Sequence, residues 1–492
     1  MTTTQSTPTL TDAPNHSARV SLIQSINNSK SLIVIALTGG GQVIGDLLSV
    51  PGTSGTLLEA TVSYSPEAMR NYINFVPDQY CCRQTACYMA TAAFDRAIKI
   101  IRTRNNLPTT NQPDISFCPN SIDEQFDETG FSSQKLNQHD QVTLKDFSNL
   151  ISVGCTASLV TNRDKAGEHR VHVAVQTLRS TFAFSLKLHK GERTRSEEDR
   201  LVADLILNAI DIARNDLMDN SVTDFDYSKV SSKELFNAFE CNSNEGGAFD
   251  AKLPLELKAG EFVESISVTC TPPLVDLFFG KSKAVLWHCG KIRCFRQRSD
   301  LVGINSDAFN QYAEFMQAIF PGSFNPVHAG HLGMIEVAER RLGCRVSMEM
   351  SISNADKPMI DYIELQSRLC EIERVRPGQM VWLTQTPLFE DKSEIFRGAT
   401  FIVGADTLGR FADVSRYYRS IHHLHDVLRV IAYHDCRFLV FARANENTIE
   451  SLGSLNIPDM LRSLCDEVPE SEFIKNISST NLRRNRIMLK PF

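Results

Sequence analysis

An apolar run, Gln317-Ala318-Ile319-Phe320, passes through Pro321 into Gly322-Ser323-Phe324-Asn325-Pro326-Val327-His328-Ala329-Gly330-His331, and a helical pattern follows to Arg341. Strand, glycine- and proline-bearing turn, helix: that succession constrains the fold more than any other stretch of the chain. Gly322 lets the backbone approach a ligand closely, Gly330 leaves room beside it, and Pro326 fixes the turn. Two histidines then stand on the first turn of the helix, where unsatisfied N–H groups and the positive end of the helix dipole favour an anion.

The sequence downstream extends this unit. Gly343 is a helix stop. Arg345 to Ile352 alternates, with Val346, Met348, Met350 and Ile352 on one face. A helical pattern covers Ile360 to Val375, and Val381–Thr384, Thr400–Val403 and Arg437–Ala442 are strand-like. The βαβ series predicts an α/β fold with a doubly wound parallel sheet, Rossmann-like, and ligands at the carboxyl ends of its strands.

The segment Gly322–His331 matches every element of the pattern GxFxPxHxGH, and the chain from about Phe315 to its end resembles the nucleotidylyltransferase superfamily, which binds a triphosphate on this strand, turn and helix. The resemblance implies catalytic roles for His328 and His331, in a reaction where positioning and electrostatic stabilisation dominate. It also implies nucleotide contacts from Gly322, Ser323, Phe324 and Gly330. Either histidine alone reads as a helix cap; the pair inside this pattern reads as a phosphate site. Near the C-terminus, Ile477-Ser478-Ser479-Thr480-Asn481-Leu482-Arg483 is similar to the superfamily's ISSTxxR motif. There Ser478, Ser479 and Thr480 would offer hydroxyls and N–H groups to phosphate oxygens, and Arg483 would fork onto the β- and γ-phosphates.

The second motif is closer to the adenylyltransferases of nicotinamide and nicotinate mononucleotide than to cytidylyltransferases. In that branch a Gly-x-Asp contacts nucleotide sugar or base, which points to Gly404 and Asp406, with helix capping as the plainer role of Asp406. Lys357 reads equally as a phosphate ligand and as a solvated loop lysine. Trp382 and Phe401 are expected in the core. The resemblance thus implies transfer of an adenylyl group from ATP to a phosphorylated small molecule, nicotinamide or nicotinate mononucleotide, with release of pyrophosphate. Mg²⁺ would accompany the triphosphate; no carboxylate cluster marks a metal site made by protein alone. The alternative enzyme is a cytidylyltransferase using CTP and a phospho-alcohol. A non-catalytic nucleotide-binding scaffold is the rival from another class.

The first part, residues 21–218, also alternates strands and helices. It holds the apolar run Leu32–Leu37, the turn Thr38-Gly39-Gly40-Gly41, a strand-like piece Thr56–Tyr64, a helix Thr85–Arg102, strand-like runs Val153–Val160 and Arg170–Gln176, and a long amphipathic helix Ser196–Leu217. Thr38-Gly39-Gly40, Val50-Pro51-Gly52-Thr53-Ser54-Gly55 and Val62-Ser63-Tyr64-Ser65-Pro66-Glu67-Ala68 resemble the CinA C-terminal family, which includes nicotinamide-mononucleotide deamidases. The family's YSNEAK run reads Tyr64 to Met69 here, so its lysine is replaced by a residue that can be neither base nor charge. The family's Gly-Ile-Ala-Gly-Pro loop is replaced by Ala157-Ser158-Leu159-Val160-Thr161. Ser54 and Tyr64 remain as a residual deamidase-like site, and the expectation is a fold retained without that activity.

The chain has 492 residues, enough for two to four domains. A net charge of −7 with no basic block argues against a nucleic-acid partner. No apolar run of membrane-spanning length occurs. Thirteen cysteines without metal-ligand spacing point to reduced thiols in the cytoplasm. Residues 1–20 read as a disordered tail, Asn105–Lys145 as an insertion, and 219–314 as a small β-containing connector before the domain at 315–492. A homo-oligomer is compatible with this sequence.

Overall fold

The computed structural model describes residues 13–104, 147–162, 166–219, 236–244, 251–295, 313–353, 358–444 and 449–473. The chain divides into two units: Met1–Phe225 with Cys241–Thr269 and Asp356–Ile363, and Asp226–Glu240 with Cys270–Ala355 and Glu364–Phe492. Both are α/β layers.

The first unit is built on a seven-stranded mixed sheet. Its strands are β1 (Leu32–Leu37), β2 (Leu57–Val62), β3 (Leu150–Ser158), β4 (His169–Thr177), β5 (Ser180–Leu188), β7 (Phe239–Asn244) and β8 (Val263–Cys270), in the order β2-β1-β3-β4-β5-β8-β7. β1 runs parallel to β2 and β3, and the pairs from β3 to β8 are antiparallel. Helices α1 (Ala13–Asn28), α2 (Gln42–Ser49) and α5 (Arg195–Asp219) bury one apolar face of the sheet. On the other face lie α3 (Pro66–Ile73) and α4 (Arg83–Arg104). α4 approaches β3 at Gly154, where a Cβ would stand 2.2 Å from the Ala86 carbonyl oxygen.

Three features depart from expectation. α1 begins at Ala13, inside the stretch read as a tail; its polar composition hides an anchor, the buried ion pair of Arg19 Nε with Asp204 at 2.6 Å. β5 was not anticipated, because no glycine or proline marks the turn before it. The Thr177 hydroxyl shapes that turn instead, accepting the N–H groups of Arg179 and Ser180. The segment read as a connector forms no sheet of its own among the described residues. β8 pairs with β5 in the first sheet, and later strands join the second, since a short unpartnered strand leaves its backbone unsatisfied.

The second unit holds a nine-stranded sheet. β6 (Phe236–Asn237), β9 (Ala284–His288) and β10 (Lys291–Phe295) form an antiparallel border beside β13. The parallel part comprises β11 (Ala318–Pro321), β12 (Ser347–Ser351), β13 (Val381–Thr384), β14 (Thr400–Gly404), β15 (Arg437–Phe441) and β18 (Cys465–Val468), in the order β18-β15-β14-β11-β12-β13. Counted along the chain this is the 3-2-1-4-5-6 arrangement of a doubly wound sheet, with its order reversing between β11 and β14. A separate ribbon pairs β16 (Arg443–Ala444) with β17 (Ile449–Glu450). Trp382 and Phe401 are fully buried, as expected of core residues. Glu349 and Ser347, on the polar side of the β12 alternation, are buried as well, because helices cover both faces of a parallel sheet. Among the described residues no helix is long and apolar enough to cross a membrane.

Candidate functional site

The crevice at the switch point gathers residues from the carboxyl ends of three adjacent strands. From β11 the chain turns through Gly322–Val327 into helix α6 (Ala329–Leu342). His328 is the N-cap of that helix, and its Nδ1 accepts the N–H of Gly330 at 3.1 Å and of His331 at 3.4 Å. In return His331 Nδ1 accepts the His328 N–H at 3.2 Å. The two rings stack with centroids 3.7 Å apart. An Nδ1 that accepts carries no proton, so each neutral ring bears its hydrogen on Nε2, the edge turned away from the cap.

The histidines are held neutral by their surroundings. Burial pushes the His331 pKa down to about 3, helped by the neighbouring His328 and by the Arg443 guanidinium. Burial and Arg443 also lower His328. Both rings are partly exposed. Beneath them Phe324 is 1 % exposed, edge-on to His331 and to Phe320 at centroid distances of 5.2 and 5.4 Å. Its ring therefore forms the floor under His331. Phe324 adopts φ 44°, and a Cβ on Gly322 would meet its ring at 2.8 Å, so a glycine at 322 makes room for the turn. Ser323 is exposed, and its carbonyl accepts Arg368 Nη1 at 3.0 Å.

From β14, Gly404 leads into the short helix Ala405–Phe411 and places Asp406. A Cβ on Gly404 would lie 2.6 Å from Asp406 Oδ1. Asp406 makes no cap hydrogen bond; its carboxylate pairs with Arg443, just beyond the end of β15. Arg443 was not singled out from the sequence, where an arginine after a strand carries no signal. Its importance is visible only because β15 lies beside β14 and one guanidinium reaches the fields of both histidines. Among the expected site residues, His328, His331, Gly322, Ser323, Phe324, Gly330, Gly404 and Asp406 thus flank one switch point. Lys357, Ser478, Ser479, Thr480 and Arg483 lie outside the described residues. Among the described residues no three His, Cys, Asp or Glu side chains converge to hold a metal ion.

In the first unit, Ser54 and Tyr64 are both exposed, Tyr64 at 68 %. Met69 is 4 % exposed and packs with Ala36, Ile73, Met89 and Ala92. The glycine turn after β1 is already occupied: Asp199 accepts the N–H of Gly40 at 2.8 Å and of Gln42 at 3.2 Å. Glu198 accepts the Val160 N–H and pairs with His169 Nδ1, both at 2.7 Å.

No curated protein matches the sequence. Among solved structures, a competence/damage-inducible protein from Agrobacterium tumefaciens is 16% identical, over 44% of this chain and 99% of that one, with a TM-score of 0.26. A CinA-superfamily protein from Escherichia coli is 12% identical over 43% of this chain and 94% of that one, with a TM-score of 0.26. One from Klebsiella pneumoniae is 12% identical over 42% and 99%, with a TM-score of 0.23. Residues 319–485 match the family model described as cytidylyltransferase-like. The C-terminal part of the chain is accordingly a cytidylyltransferase-like domain of the nucleotidyltransferase superfamily.

Proposed function

We propose that this domain transfers an adenylyl group from ATP to the phosphate of nicotinamide or nicotinate mononucleotide and releases pyrophosphate. The observation that carries the reading is the pair of neutral, stacked imidazoles at a helix start, with Nε2 donors beside the Arg443–Asp406 pair at the switch point. A triphosphate laid there would meet those donors and the helix N–H groups. The acceptor phosphate oxygen attacks the α-phosphorus, a bond to the α-phosphorus forms, and the bond to the bridging oxygen of pyrophosphate breaks. The two imidazoles and Arg443 stabilise the charge that gathers on the transferring group and the leaving pyrophosphate. Arg483 and the hydroxyls of Ser478, Ser479 and Thr480 would close over the β- and γ-phosphates, and Lys357 would reach a phosphate from the loop after β12. Mg²⁺ would arrive on the triphosphate, neutralising phosphate charge.

The cytidylyltransferase-like match favours a second reading, CTP with a phospho-alcohol. Pyrophosphate release from ATP and CTP, each against both mononucleotides and a set of phospho-alcohols, separates the two. Turnover confined to CTP would overturn the adenylyl assignment. For the first unit, the buried Met69 and the occupied glycine turn support a deamidase-like fold without deamidase activity. Ammonia released from nicotinamide mononucleotide by the full chain would overturn that reading.

A further inference from the structure

The turn at 322–327 is anchored by two elements outside it. At its start the Gly322 N–H donates to the Glu349 carbonyl at 2.9 Å, and the buried Glu349 side chain is itself paired with Lys392 at 2.7 Å. Its middle is held by helix α7 (Tyr362–Val375), which buries Leu365, Leu369 and Ile372. Glu364 and Arg368 stand four residues apart on that helix, so their side chains meet on one face. Glu364 Oε1 accepts Arg368 Nε at 2.8 Å and Asn325 Nδ2 at 2.5 Å. Arg368 Nη1 donates to the Ser323 carbonyl at 3.0 Å. The two side chains are only 14 % and 16 % exposed, so their charges answer each other more than water. Arginine suits this place because its planar fork bonds Glu364 through Nε and Ser323 through Nη1 at once.

Ser323 and Asn325 are the chain neighbours of Phe324, which holds φ at 44°. A bulky side chain rarely adopts that left-handed conformation, and it persists only where the surroundings over-determine it. The bonds from α7 supply such a constraint on each side of the strained residue. The Phe324 ring in turn lies edge-on to His331, with centroids 5.2 Å apart, and is the floor beneath it. We infer that Glu364 and Arg368 are positioning residues of the nucleotidyl-transfer site: they hold Ser323 and Asn325, thereby fix Phe324, and through its ring set where the His331 imidazole points. The clamp's effect on turnover rests on the nucleotidyl-transfer reading above; its effect on the His331 ring does not.

In the full-length protein, Asn325→Ala frees the turn from Glu364 while leaving the Glu364–Arg368 pair in place, and Glu364→Ala breaks both. With MgATP and the mononucleotide acceptors, each variant should lower kcat by about tenfold or more while the ATP dissociation constant changes less, as misplacement of a reacting group does. Glu364→Gln, whose amide oxygen can take the same two donors, should recover most of that loss; a pair that served stability alone would leave the Gln and Ala variants equally impaired. By nitrogen NMR, His331 should begin to titrate between pH 8 and 5 in both alanine variants as water reaches the ring, where the wild-type ring, with its pKa near 3, stays neutral. Where Glu364→Ala does not fold, Asn325→Ala decides. Wild-type kcat or an unmoved His331 midpoint in folded Asn325→Ala overturns the proposal, and so does a Glu364→Gln protein no more active than Glu364→Ala. A wild type without turnover is a different result: it overturns the nucleotidyl-transfer reading, and the His331 midpoint in Asn325→Ala still decides whether the clamp sets the ring.

Discussion

His328 and His331 cap the same helix reciprocally: each Nδ1 accepts the other's backbone N–H, at 3.4 and 3.2 Å. Capping therefore occupies the Nδ1 edge of each ring and leaves the Nε2 edge to the phosphates of the proposed reaction. Nitrogen NMR of the ligand-free protein should show both rings as the Nε2–H tautomer. Between pH 8 and 5 His331 should not titrate, because its pKa lies near 3 rather than near the usual 6.5. The unfolded chain binds this proton first as pH falls, so stability contributed by the neutral ring is full above about 6.5 and is lost as pH drops toward 3. A His331 midpoint above 6 would contradict the capping geometry.

Arg443 depresses both histidines through its charge. Arg443→Gln should raise the His331 midpoint and cost about tenfold or more in kcat, as the loss of one transition-state donor does. Asp406→Asn should retain that charge yet loosen its aim, raising KM for the triphosphate more than it lowers kcat. Equal stability of both variants, checked by thermal unfolding, would assign the effects to the site.

Gly404→Ala introduces a Cβ 2.6 Å from Asp406 Oδ1. The carboxylate must swing away and release Arg443, so activity should fall as in Asp406→Asn while the melting temperature changes little. Gly154→Ala is the contrasting case. Its Cβ would lie 2.2 Å from backbone of α4, which cannot rotate aside, and overpacking of this kind costs about 1–3 kcal/mol or more.

Met69→Lys restores the residue type of the deamidase family but places an ammonium among Ala36, Ile73, Met89 and Ala92. With no carboxylate among these neighbours, the substitution should destabilise the protein by several kcal/mol, as burial of an unpaired charge does. Ammonia release should stay at background. Restored deamidase activity would show that only this residue had been lost.

Most of the parallel sheet was legible from local patterns: β11, β13, β14 and β15 are largely apolar runs and β12 alternates, whereas β18, Cys-Asp-Glu-Val, carries no such signal. The histidine pair was legible for the same reason, since ten consecutive residues fix strand, turn and helix. Arg443 was not, because its role depends on β15 lying beside β14, a relation between strands distant in sequence. Glu349 and Lys392 were hidden differently. Charged residues in an alternating strand and a helix read as solvent-facing, and only the covering of both sheet faces puts them inside. β5 escaped because a threonine hydroxyl, not a glycine, makes its turn.

In the proposed reaction, two neutral imidazoles at the start of one helix stabilise nucleotidyl transfer. Its most direct test is pyrophosphate release by the wild type and by His331→Ala, with ATP affinity measured on both proteins. The wild type should turn over, and the variant should lose about 10²-fold or more in kcat at nearly unchanged ATP affinity. Undiminished turnover by His331→Ala, or a wild type that releases no pyrophosphate with any triphosphate and phosphorylated acceptor, would contradict it.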